Sequence, residues 1–148
     1  MIPSLRHAFN ASWTEAKYQD LVRRLEMRTG ATLGFPISET PCFFPTSLMS
    51  SLASTGLELV HQILDNPDAM AAAEKAVPDR YKGPGADTLP TFLQVDFGLV
   101  RAADGSIHSK LVELQAFASL YGFQLAAAEA YRDAFGLPSS LSVYLDGQ

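Results

Sequence analysis

A chain of 148 residues can fold one ordinary domain, burying roughly 70% of the surface that its extended form exposes. Sixteen acidic residues against 11 Lys and Arg leave a net charge of -5, too little positive field to hold a nucleic-acid backbone or an anionic bilayer, and an apolar fraction of 47% argues against intrinsic disorder. The single cysteine, Cys42, excludes an internal disulfide and a cysteine-rich metal site; no apolar run approaches the ~18 residues of a membrane span, and Met1 to His7 lack the apolar core of a secretory signal, so a cytoplasmic location is expected.

Ser12 and Glu15 read as a capping box opening a first helix, with Tyr18, Leu21, Val22 and Leu25 at helical spacing and Gly30 closing it. From Ala31 to Pro45 three prolines break the pattern while Phe35, Ile37, Phe43 and Phe44 still seek burial, which predicts an extended, packed loop. A second helix starts near Thr46 or Ser47, carries Leu48, Leu52, Leu59 and Ile63, and stops at Asp65-Asn66-Pro67; Pro67 then opens a short third helix to Val77. Pro78 to Pro90 reads as a surface loop, and its Gly83-Pro84-Gly85 lacks the run of backbone donors and the Lys-Ser or Lys-Thr ending of a phosphate loop. After it the period changes from helical to alternating. Leu93, Val95, Phe97 and Leu99 share one face, Gln94 and Asp96 the other, and Asp104-Gly105 turns the chain into a return strand from Ile107 to Gln115. A last helix is expected from about Ser119 to Phe135, ended by Gly136 and Pro138, with one further strand at Leu141 to Leu145. The fold class is α+β: an antiparallel sheet with a central hairpin, about 91–115, packed against helices, in a single unit without internal repeats.

With Asp104 and Gly105 as the two central turn residues, Ala103 faces Ser106, Asp96 faces Glu113 and Gln94 faces Gln115. An odd loop length would shift this register by one. Carboxylates opposed in this way have Cβ atoms only about 5 Å apart and repel. Four things can offset that repulsion: a shared proton, neighbouring cations such as Lys110 or an arginine, full hydration, or a bound divalent cation suited to oxygen ligands. A hairpin face lying simply in water is the plainest of these.

Val95-Asp96-Phe97, Asp104-Gly105 and Leu111-Val112-Glu113-Leu114-Gln115 together resemble the closing hairpin of ATP-grasp enzymes, where an aspartate on one strand and a Glu-x-Asn on the next hold the magnesium ions that bridge the ATP phosphates. The resemblance implies Mg2+ and ATP as cofactors and Asp96, Glu113 and Gln115 as metal ligands, with Gln115 standing where the family usually has asparagine. Ala116 to Gly122 resembles the loop that helps bind the acceptor, which implies substrate contacts for Phe117, Ser119 and Tyr121; Ala118 stands in the place expected for proline. Because the hairpin comes early and helices precede it, the order of parts looks more like circularly permuted ATP-grasp-like proteins, some related to glutathionylspermidine synthases, which are considerably longer. The chain is accordingly expected to be the N-terminal portion of such a protein, a segment of an ATP-dependent carboxylate-amine ligase acting on small molecules and inactive alone.

The other reading is a non-catalytic binding or assembly module whose acidic hairpin is solvated and whose exposed sheet edge drives homo-oligomer formation. The remaining reactive side chains read as structural. Cys42 lies in Pro41-Cys42-Phe43-Phe44-Pro45, a setting that favours burial and an inert thiol. His61 flanks the second helix, His108 sits near the hairpin tip in solvent, and Arg80 and Lys82 are loop cations that could meet a phosphate but have the composition of an ordinary exposed loop. Trp13, Tyr18, Phe123 and Tyr131 are core candidates.

Overall fold

In the computed structural model, residues 1–85, 89–117 and 120–145 are described. They form five α-helices and one antiparallel hairpin: α1 (Pro3–Ser12), α2 (Glu15–Thr29), α3 (Thr46–Leu64), α4 (Pro67–Ala76), β1 (Gln94–Arg101), β2 (Ile107–Gln115) and α5 (Tyr121–Phe135), with a single 3-10 turn at Asp79–Tyr81. The chain divides into two compact units, one of residues 1–49 with 119–148, the other of residues 50–118.

The first unit is helical. Leu21 and Leu25 of α2 are fully buried and share a core with Ala130, Tyr131 and Phe135 of α5, Phe9 of α1 and Phe43 of the following loop. Tyr18 and Phe123 pack against this cluster, as their helical positions predict, and so does Trp13, which lies between α1 and α2. At the rim, Arg28 of α2 reaches across to Glu129 at 2.8 Å and Asp133 at 2.6 Å on α5. Residues 30–45 have no regular structure, yet they are held. The Tyr18 hydroxyl donates to the Ile37 carbonyl at 3.1 Å, the Tyr131 hydroxyl to the Ser38 carbonyl, and the Ile2 amide to the Phe43 carbonyl at 2.7 Å. The two tyrosine hydroxyls, one half-buried and one buried, thus satisfy carbonyls in a segment whose prolines exclude regular pairing.

Burial, with Tyr18 nearby, pushes the Tyr131 phenol from its ordinary 10 up to about 12. The unfolded chain loses this proton from about pH 10 and the folded chain only near 12, so above pH 10 the unfolded state binds fewer protons and stability falls, levelling off past pH 12. Denaturant midpoints between pH 9 and 12 are expected to drop less in Tyr131→Phe than in wild type, while at neutral pH the variant is the weaker by about 1 kcal/mol because the Ser38 carbonyl loses its donor.

Four expectations need correction in this unit. The first helix is α1, opened by Pro3 at its start; its apolar residues Leu5 and Phe9 make too short a stripe to read as a period. The cap of α2 is Thr14, whose hydroxyl accepts from the Lys17 amide at 3.3 Å, while the Ser12 hydroxyl turns back to the Phe9 carbonyl at the end of α1. Cys42 is exposed, because Phe43 beside it takes the buried position. Leu141 to Leu145 is not a strand: the Arg132 guanidinium holds the Leu141 carbonyl, and the Ser142 hydroxyl closes a turn by accepting from the Tyr144 amide at 3.1 Å.

Helix α3 begins at Thr46, as predicted, and runs into the second unit, where the Asn66 side chain caps α4 by accepting from the Asp68 and Ala69 amides, both at 3.1 Å. Gly56, buried in mid-helix, is where β1 comes closest. A Cβ on it would meet the Val95 side chain at 3.4 Å and the Phe97 ring at 3.6 Å. The missing side chain therefore lets the apolar face of the hairpin lie against α3 and turns Asp96, between Val95 and Phe97, to the opposite face. No helix among the described residues is long and apolar enough to cross a membrane.

Candidate functional site

Asp96 and Glu113 face each other, flanked by Gln94 opposite Gln115 and by Val95 opposite Leu114. The register at this end is the one expected, but it arises differently. The turn is a three-residue loop, not a two-residue one: the Ala102 amide donates to the Ser106 carbonyl at 2.9 Å, and Gly105 closes the loop at φ 86, a conformation that glycine adopts freely. Ala103 therefore does not pair with Ser106, and from Arg101, opposite Ile107, to Phe97, opposite Leu111, the pairing is shifted by one residue. A bulge then leaves Val112 without a partner, and this extra residue restores the shift, so that Asp96 meets Glu113 after all. Asp104 shapes the loop. Its carboxylate accepts from the Ser106 hydroxyl at 2.5 Å and the Ser106 amide at 2.9 Å, and these bonds, the hydroxyl's first, hold its carboxyl below the usual range.

On the polar face each carboxylate has its own amide donor. Gln94 Nε2 donates to Asp96 Oδ1 at 2.7 Å, and Gln115 Nε2 donates to Glu113 Oε1. The arrangement is nearly symmetric between the strands, Gln-x-Asp on one and Glu-x-Gln on the other, and that mirror spacing is the signal by which Gln94 could have been grouped with the three expected ligands. Among the described residues neither carboxylate lies in ion-pair reach of a Lys, Arg or His, although Lys110 stands on the same face two pairs along, opposite Gly98. The remaining carboxylate oxygens and the two amide carbonyls make an all-oxygen donor set suited to a hard divalent cation. No group of three or more His, Cys, Asp or Glu converges among the described residues, so a cation here would need other ligands, as magnesium commonly does.

The structure brings Asp96, Glu113 and Gln115 together. Phe117 follows β2 and is exposed, Tyr121 is half-buried in the first turn of α5, and Ser119 lies outside the described residues. His108 is solvated at the hairpin tip, where its Nε2 lies 2.8 Å from the Ser106 hydroxyl; His61 is exposed on α3. Arg80 stacks over the Tyr81 ring and Lys82 pairs with Asp79 at 3.0 Å, which gives both loop cations local partners. No family model, curated protein or solved structure matches the chain.

Proposed function

We propose that the chain carries the Mg-ATP-binding hairpin of an ATP-dependent carboxylate-amine ligase of the ATP-grasp type. The observation that carries this reading is the facing pair Asp96 and Glu113, which has no cationic partner among the described residues. Asp96, Glu113 and Gln115 would hold the metal, Gln94 would orient Asp96, and Phe117, which follows β2, would meet the acceptor. Magnesium bound there would neutralise charge on the transferring phosphoryl group. The donors fit such an ion in type: two carboxylates, two amide carbonyls and, among the described residues, no ammonium or guanidinium paired with the acids. The chain alone is expected to show no ligase turnover, since it offers no phosphate loop with the nucleotide's usual lysine.

Thermal unfolding with and without Mg2+ and ATP, on wild type and Asp96→Asn, tests the reading. Wild type is expected to gain about 1.4 kcal/mol at ten times the dissociation constant, and the variant nothing. Without metal, Asp96→Asn is expected to be the more stable by about 0.5 kcal/mol, because a like-charge pair is removed. Identical responses to Mg2+ in the two proteins would overturn the ligase reading. They would support the second one, a binding or assembly module, which is favoured by the glutamine amides that already satisfy one oxygen of each acid.

A further inference from the structure

Arg132 carries a charge that no described residue neutralises. Its guanidinium, half-buried on α5, donates to the Leu141 carbonyl, and among the described residues it has no Asp or Glu in ion-pair reach. The arginines of α2 differ: Arg23, Arg24 and Arg28 each hold a carboxylate. Guanidinium groups keep their charge across the physiological range, so partial burial cannot be relieved by losing a proton. One hydrogen bond to a carbonyl uses one of five N–H groups, and the remaining fork matches the two oxygens of a carboxylate.

The surroundings of that charge select its ligand. Arg132 lines a cavity of about 230 Å3 within the helical unit, whose other described walls are uncharged and mostly apolar, chiefly Phe43, Ala128, Tyr131, Leu137 and Val143. An adjoining cavity of about 400 Å3 shares Cys42, Phe43 and the segment Leu141 to Val143 with it and has no charged residue among its described walls. Neither side supplies a counter-ion. The smaller cavity has room for about eight waters at ~30 Å3 each, enough for a carboxylate on a ring or a short chain. A single cation against apolar walls suits one negative charge on an apolar body; a phosphate monoester, with nearly two, calls for more donors. We propose that this cavity binds a small monocarboxylate with an apolar body, its carboxylate on the remaining donors of Arg132 and its apolar part against Phe43 and Leu137. The site stands whether or not the hairpin binds a metal.

Cys42 reports on the site. It is the chain's single cysteine, it is exposed, and it lines both cavities, so a bound acid shields its thiol. Phenylacetate is expected to bind the full chain with a Kd of about 1 mM, the range open to a ligand of about ten non-hydrogen atoms, and at saturation to slow alkylation of Cys42 by iodoacetamide about threefold or more. The amide resonances of Leu141, Ser142 and Val143 should shift with the same Kd. Phenylacetamide has the shape without the charge and acetate the charge without the ring; each is expected to bind about tenfold more weakly or worse. Arg132→Gln keeps a donor for the Leu141 carbonyl while removing the charge, and with its fold established by circular dichroism it should bind phenylacetate about tenfold more weakly. No saturable binding of phenylacetate, amide or acetate bound as tightly as phenylacetate, shifts confined to other residues, or a folded Arg132→Gln that binds as wild type does would each overturn the proposal. If Arg132→Gln does not fold, the comparison of the three ligands on wild type decides the matter without it.

Discussion

Gly56→Leu is expected to destabilise the packing of α3 on the hairpin by about 2–3 kcal/mol, whereas Gly56→Ala is expected to be neutral or to gain up to about 1 kcal/mol. The contrast follows from one distance. A methyl group at Gly56 would sit 3.4 Å from the Val95 side chain, an ordinary contact, and alanine also removes the entropic penalty of a mid-helix glycine. Any longer side chain must displace Val95 or Phe97, and because two strands hold poorly without a helix behind them, the hairpin would loosen with it. Hydrogen exchange of the β1 and β2 amides reads this directly. Leucine should raise exchange rates along both strands, and alanine should leave them unchanged or lower. If leucine leaves the amides protected, the close approach at Gly56 is not what holds the hairpin to α3.

The hairpin was legible in the sequence because alternation and Asp104-Gly105 are local signals with few competitors. The facing of Asp96 and Glu113 was legible only through two departures that cancel. A loop of two residues and a loop of three differ in backbone angles that Ala103-Asp104-Gly105 can satisfy either way, and Val112 has nothing in its chemistry to mark it as a bulge. Its exposure and its unpaired place in β2 beside Glu113 are tertiary facts. Gln94 and Gln115 were visible as neighbours on one face, but which atoms they offer, donor or acceptor, depends on rotamers that spacing does not encode.

In the helical unit the reading failed where several weak signals compete. Ser12 and Thr14 are both good caps, and Ser12 lost because Pro3 starts a helix that still needs residue 12 as its end. Around Cys42 only one side chain can take the buried position, and phenylalanine hides more apolar surface than a thiol does. Leu141 to Leu145 has the residue types of a strand but no second strand beside it among the described residues, so the Arg132 side chain takes the Leu141 carbonyl instead. Helix placement from α2 onward was readable because proline, glycine and asparagine at the ends of α2, α3 and α4 leave few alternatives.

Phe135→Ala is expected to cost the helical unit about 3–5 kcal/mol, a large part of the 5–15 kcal/mol by which domains of this size are stable. The Phe135 ring lies 4.4 Å from the Phe9 ring and 6.3 Å from the Tyr131 ring, and Phe9 in turn meets Phe43 at 6.0 Å. One residue at the end of α5 therefore joins α1, the proline-rich loop and its own helix, and the space it leaves cannot close without moving all three. By contrast, Arg28→Ala removes two ion pairs whose partners are all about 40% exposed, and it is expected to cost no more than about 1 kcal/mol. Trp13 is the chain's single tryptophan and packs on this same cluster, so its fluorescence during denaturant unfolding reports the unit in question. Phe135→Leu keeps most of the volume and should lose about 1.5 kcal/mol or less. If Phe135→Ala proves no worse than Arg28→Ala, the helices are joined by their charged rim and not by the aromatic cluster, and the burial of Leu21 and Leu25 would then have to account for the stability alone.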